Sequence, residues 1–166
     1  YSFAKKLNIA AANAQAGGDR LVIYEAYRPV NVSKYANEQL TNFYNSNDVV
    51  KYNIDKSDKE GSSWGKSWFL AQGTSAHNTG CAVDITLSSG SMPTTMHELS
   101  SLAIKYKAPG SKQYASSMTD SAKKLHNYMM NGTGLTDLAS EWWHYQDNTC
   151  HQSIMGRSGA NFWSAV

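Results

Sequence analysis

The chain carries little charge. Lys, Arg, Asp and Glu make up 17% of its 166 residues, against roughly 25% in ordinary soluble domains. The formal net charge is only +2. No run of Lys or Arg is long enough to track a phosphate backbone, which argues against a nucleic-acid partner. No apolar run approaches the roughly 18 residues of a spanning helix, so no transmembrane segment is expected. No signal-peptide pattern opens the sequence, as would also hold for a mature chain. Cysteine is scarce too. Cys81 and Cys150 are too few for a disulfide scaffold and lack CxxC spacing. They read as small buried thiols or as one disulfide. His151, next to Cys150, leaves metal binding as the alternative.

What is present suits a folded globular protein. Hydrophobic residues reach 41% and aromatic residues 11%, enough to exclude a disordered chain. Ser, Asn, Thr and Tyr fill the place of the missing charges, which favours an exported, cell-wall-associated protein over a cytoplasmic one. No internal repeat and no low-complexity segment is found, so residues 1–166 are expected to form a single domain with a real core.

Phe3–Ala16 is Ala-rich with apolar positions near helical spacing, and Gly17-Gly18 stops it. Leu21–Tyr27 (LVIYEAY) is β-branched and aromatic and ends at Arg28-Pro29, a strand halted by proline. Val32–Tyr44 reads as a second helix. Asn45–Trp68 reads as a long polar excursion, uncommon unless functional. Trp68–Ala71 and Cys81–Leu87 read as strands. Asp120–Met130 places Ala122, Leu125, Tyr128 and Met129 at helical spacing before Asn131-Gly132. Trp142–Gln146 reads as a short aromatic strand, and the closing segment with Phe162 and Trp163 as a cover for the core. Without a regular βαβ alternation, the expected class is α+β, a small mixed or antiparallel sheet flanked by helices.

Two segments carry the chemistry. In SAHNTGCAVDI, Ser75–Ile85, His77 stands at the end of a turn and Asp84 inside the next strand, with Gly80 allowing the sharp bend between them. In EWWHY, Glu141–Tyr145, an acid precedes a histidine by three residues. Zinc takes imidazole nitrogen and carboxylate oxygen, and a catalytic zinc uses three protein ligands with the fourth position left for water. His77, Asp84 and one further histidine suit that count. The spacing alone does not join the two segments. Residues three apart on an extended strand face opposite ways unless a bulge or turn re-aims one. On residue type alone, His77 reads equally as a surface histidine and Asp84 as a strand cap. Trp142 and Trp143 read as core aromatics.

SAHNTGCAVD resembles the SxHxxGxAxD pattern of the zinc D,D-peptidases that cut D-Ala-D-Ala, and EWWHY resembles their closing ExxH element. The resemblance implies zinc as cofactor, His77, Asp84 and His144 as its ligands, and Glu141 as catalytic base. YEAYRPV resembles the strand ending in YRP that carries an active-site arginine, which makes Arg28 the residue that stabilises the developing oxyanion. The alternative for Arg28 is a structural clamp on a buried carboxylate. Ser75 is expected to touch substrate, with capping of its turn as the alternative. WFLAQGTSAH resembles the approach to the first zinc ligand. Trp142-Trp143 resembles the dipeptidase branch, where the carboxypeptidase branch more often has Pro-Trp, and implies a substrate contact at Trp143.

The chain also departs from the family pattern. It opens directly in a helix where the family usually has preceding strand residues, so either those residues lie elsewhere or the sequence is part of a longer one. MPTTMHELS resembles a segment in which the dipeptidases often carry an acid for the substrate ammonium group. Here His97 stands at that place, followed by Glu98, and Glu98 is expected to substitute for the acid by a one-residue shift. The expected activity is hydrolysis of the dipeptide D-Ala-D-Ala. The alternatives are removal of a terminal D-Ala from longer cell-wall peptides and, in a different class, a non-catalytic wall-binding module. The expected partner is a small peptide, and the expected state is a monomer.

Overall fold

The computed structural model describes residues 2–46, 74–98, 100–108 and 110–156. The strand expected at Trp68–Ala71, most of the excursion expected at Asn45–Trp68, and the closing segment with Phe162 and Trp163 lie outside those residues. Among the described residues, four helices, α1 (Ser2–Ala16), α2 (Val30–Ser46), α3 (Asp120–Met130) and α4 (Asn148–Met155), accompany four strands. These are β1 (Leu21–Glu25), β2 (Ala82–Leu87), β3 (Thr136–Asp137) and β4 (His144–Gln146). The strands form one sheet in the order β1-β2-β4-β3, and every pairing is antiparallel. The class is α+β, as the sequence implies. Among the described residues, no helix is long and apolar enough to cross a membrane.

In α1, Ala-rich sequence lowers the entropic cost of the helix. Phe3, Ala10 and Ala14 form its buried stripe, and the helix packs against α3. Gly17 ends it beneath Tyr128 of α3, whose hydroxyl would lie 2.1 Å from an added Cβ, so a larger residue there requires that ring to shift. Helix α3 starts at Thr119, whose hydroxyl accepts from the Ala122 amide, satisfying one orphan donor of the first turn. It buries Ala122, Leu125 and Met129 at helical spacing. Each of the two larger side chains contributes about 1.5–3 kcal/mol by leaving water.

Strand β2 sits between β1 and β4 and is buried along nearly its whole length. That explains the weak alternation of its sequence, because a strand covered on both faces has little need of polar residues. Val83, Ile85 and Leu87 join the core with Leu125, Met129, Trp142 and Tyr145. Asp84 points to the opposite face, as strand geometry requires.

Several boundaries differ from the sequence reading. Strand β1 stops at Glu25, short of Tyr27, because its register against β2 slips between Ile23 and Glu25. Helix α2 starts two residues earlier than Val32, and the Ser33 amide bonds back to the Pro29 carbonyl as its first helical link. Strand β4 starts at His144 and not at Trp142. Trp142 is held by the Ala103 carbonyl through its backbone and by Thr94 through its indole N–H, which draws it off the ladder. The two-residue strand β3 and helix α4 carry no sequence signal strong enough to be read. The Asp147 carboxylate caps α4 through the Cys150 amide and pairs with Lys6 of α1 at 2.9 Å. Cys81 and Cys150 form a disulfide, tying α4 to the start of β2. Of the three readings of the cysteines, this is the single disulfide.

Candidate metal centre and active site

Three elements converge at one end of the sheet. Residues Ala76–Thr79 form a single 3-10 turn that carries His77, and Gly80 closes it at φ 66°, a conformation open chiefly to glycine. Asp84 follows on β2, and β4 brings His144 directly opposite it in register. All three side chains are buried.

Their hydrogen bonds assign the ring nitrogens. His77 Nδ1 lies 3.0 Å from the Ala26 carbonyl and must donate to it. His144 Nε2 lies 2.9 Å from Gln146 Oε1 and is placed to donate there. The remaining nitrogens, His77 Nε2 and His144 Nδ1, then present lone pairs. They stand 3.1 Å apart. Asp84 Oδ1 lies 3.3 Å from the first and 3.0 Å from the second. All three atoms fall within 4.8 Å of one another. Three acceptors aimed at one point form a group that could hold a cation, and two imidazoles with one carboxylate make a donor set that fits zinc. The outer bonds to Ala26 and Gln146 fix tautomer and ring orientation, as supporting shells of metal sites do. Burial works against ionisation of Asp84. The imidazoles of His144, His77 and His97 around it outweigh that effect and hold the carboxyl well below the usual range.

Glu141 precedes β4 in a turn, and this re-aims it. Its Oε2 lies 3.8 Å from His144 Nδ1 although the two residues are three apart. Burial pushes the Glu141 pKa well above the ordinary value, and the neighbouring Asp84 charge pushes it further. Arg28, Lys105 and a hydrogen bond from the Trp143 side chain pull the other way. A carboxylate shifted upward in this manner is better matched to accepting a proton near neutral pH.

Arg28 enters from the other side. Its Nε and Nη2 grip both oxygens of Glu25, with Nε–Oε1 at 2.7 Å. Its Nη2 also lies 3.8 Å from Asp84 Oδ2. Arg28 is thus paired with a part-buried carboxylate, and its guanidinium lies beside Asp84. The two roles are compatible, because a fork held on Glu25 is a fork with fixed aim.

The remaining expected residues divide. Ser75 caps the start of the turn, with its amide on Asn78 Oδ1 at 2.7 Å and its hydroxyl 3.3 Å from the same atom. Trp143 is buried in the core, and its ring meets the edge of His97 at 5.7 Å. The Glu98 carboxylate accepts from the hydroxyls of Thr95 and Ser100 in its own turn. It is His97 that reaches the site, with Nε2 at 2.9 Å from Asp84 Oδ2.

Sequence reasoning missed Glu25, Asn78 and Gln146. Gln146 had a usable signal, since it lies two residues past His144 on a strand and therefore on the same face. Glu25 stands three before Arg28. Asn78 gave no signal, yet its amide nitrogen donates to the Arg28 carbonyl at 2.7 Å and to Ser33 Oγ at 2.9 Å, binding the metal turn to the arginine segment.

No curated protein matches the chain. Residues 1–157 of 166 match the model of the Peptidase M15 family, described as D-Ala-D-Ala dipeptidase, and with that match extending across every element described above, the chain belongs to this family of peptidases.

Proposed function

We propose that the protein is a zinc-dependent D,D-peptidase that hydrolyses the D-Ala-D-Ala bond of cell-wall peptides or their precursors. The observation that carries this reading is the convergence of His77 Nε2, Asp84 Oδ1 and His144 Nδ1, with the buried Glu141 carboxylate beside them. Zinc, when bound, lowers the pKa of a coordinated water to about 7 and polarises the scissile carbonyl. Glu141 takes a proton from the attacking water at its carboxylate and returns it to the departing amine. Arg28, fixed by Glu25, offers its permanent charge to the oxygen on which negative charge develops. Trp142 and Trp143 exclude water behind the ligands, being almost fully buried. The disulfide supports an oxidising, exported setting.

The free dipeptide is the substrate suggested by the Trp142-Trp143 pair. One observation favours the second reading, a carboxypeptidase acting on longer peptides. Among the described residues, the acids near the site are engaged: Glu25 by Arg28, Asp84 by three histidines and Glu98 by two hydroxyls. A substrate ammonium group buried without an anion costs several kcal/mol. Incubation with D-Ala-D-Ala and with an N-acylated peptide ending in D-Ala-D-Ala, following free D-Ala, decides between them. Release from neither, by a protein that binds zinc, overturns the peptidase reading and leaves a wall-binding module.

A further inference from the structure

His97 has the most unusual backbone in the described chain. Its φ is 62°, and it is the one non-glycine residue among those described with positive φ. A side chain in that region costs energy and persists where surroundings impose it. The surroundings here are Nε2 on Asp84 Oδ2 at 2.9 Å, the Glu25 carboxylate farther off at 3.9 Å, and the ring contact with Trp143. The imidazole is otherwise about half exposed, with a side-chain accessibility of 46%. The Asp84 carboxylate is thereby divided. Oδ1 faces His77 and His144, while Oδ2 faces His97, with Arg28 Nη2 farther off at 3.8 Å.

We propose that His97 is a positioning residue for the metal centre: its Nε2–H holds the outer oxygen of Asp84 so that only Oδ1 is presented to the ion. Resting on the zinc-peptidase reading, this makes Asp84 a one-oxygen ligand and leaves room for water and substrate. A carboxylate free to rotate would offer both oxygens and fill a further coordination position.

One competing arrangement must be weighed. Glu25, Asp84 and His97 also bring ligand atoms within 4.8 Å of one another, a spacing that suits a second cation. That place already holds a cation. Arg28 grips both oxygens of Glu25 and approaches Asp84 Oδ2. A metal there would have to displace a two-bonded guanidinium or sit beside its charge, and Coulomb repulsion at such a distance opposes it. The positioning role needs no such displacement.

The test is a titration of zinc and of cobalt(II) into the full chain after chelator treatment, for the wild type, His97→Ala, His97→Gln and His144→Ala. Binding of one ion by the wild type, lost in His144→Ala, supports the underlying reading. The proposal expects His97→Ala to bind zinc about 10–100-fold more weakly, as loss of an outer-shell partner does. It also expects the visible cobalt bands of that variant to weaken as the coordination number rises. His97→Gln, which returns an N–H donor at similar reach, recovers most of the affinity and the spectrum. The urea midpoint of the metal-free protein stays near the wild-type value in both variants. Affinity and cobalt spectrum unchanged in His97→Ala overturn the proposal. So does a His97→Gln variant as weak as His97→Ala, with both midpoints lowered, which marks a merely structural role. Two ions in the wild type and one in His97→Ala make His97 a ligand of a second metal, and also overturn it. A wild type that binds no ion removes the peptidase reading and this inference together.

Discussion

Asp84 and His144 are register partners on adjacent antiparallel strands, and their side chains meet with Oδ1 and Nδ1 3.0 Å apart. Two candidate ligands held by a backbone ladder are placed without need of an ion. Only His77, on its turn, relies on local geometry. The purified protein should therefore carry about one equivalent of zinc by metal analysis, with both His144→Ala and Asp84→Asn losing it while staying folded. Full retention of zinc by either variant would contradict the assigned ligand set.

Glu141 is not among the three converging ligand atoms, so removing it should separate metal binding from turnover. Glu141→Gln is expected to keep the zinc stoichiometry and to lose at least about 10²-fold in kcat, the usual share of a general base. Steady-state kinetics beside metal analysis reads both quantities. Near-normal turnover would remove Glu141 from the mechanism.

Arg28 and Glu25 act as a unit. Arg28→Lys keeps the charge but cannot grip both oxygens of Glu25, and it should lower kcat more than it raises KM. Glu25→Gln should reproduce part of that loss without touching the guanidinium itself. If Arg28→Lys changes KM alone, the arginine binds substrate in its ground state.

Lys105 is fully buried, with its ammonium 3.3 Å from Asp137 Oδ2 and 4.3 Å from the Tyr145 ring centroid. Burial pulls its pKa down from 10.5 to about 8, against the attraction of Asp137. Between those two pH values the unfolded chain holds a proton that the native chain has released, so this residue makes stability rise with pH there. The full effect is about 3 kcal/mol at 1.36 kcal/mol per pKa unit. Urea unfolding of the wild type and of Lys105→Met, at pH 8 and pH 10, isolates it as the difference of differences. A difference that does not grow with pH would count against a depressed lysine.

The Cys81–Cys150 link closes a span of 69 residues and fastens α4 beside the metal turn. Loop-closure entropy assigns such a link about 4 kcal/mol. The double variant Cys81→Ala with Cys150→Ala should unfold at correspondingly lower urea, and the same loss should follow reduction of the wild type. An unchanged midpoint on reduction would show that the thiols are unpaired in solution.

The sequence displayed its site better than its architecture. His77, Asp84, Glu141 and His144 stand in two short, spaced segments, so their identity is local information. The core helices were legible for the same reason: Ala122, Leu125 and Met129 repeat at one period within eleven residues. What was hidden is what depends on distant partners. Strand β3 exists because β4 pairs with it, and α4 starts where Asp147 finds Cys150 and Lys6. The grip of Arg28 on Glu25 needs a slipped register, and no composition reports that. Lys105 is buried against Asp137, a partner distant in the sequence.

That slipped register sets a parity rule for the strand. Ile23 pairs with Ile85, and Glu25 pairs with Asp84, so Tyr24 is an extra residue in the count. Without it, Tyr24 would stand opposite Asp84, and Glu25 would turn toward Val83 and the core. One odd residue thus decides whether an acid or a phenol meets the metal side. The stretch between Ile23 and Arg28 should accept substitutions at Tyr24, which is 61% exposed, far more readily than it accepts any change in length.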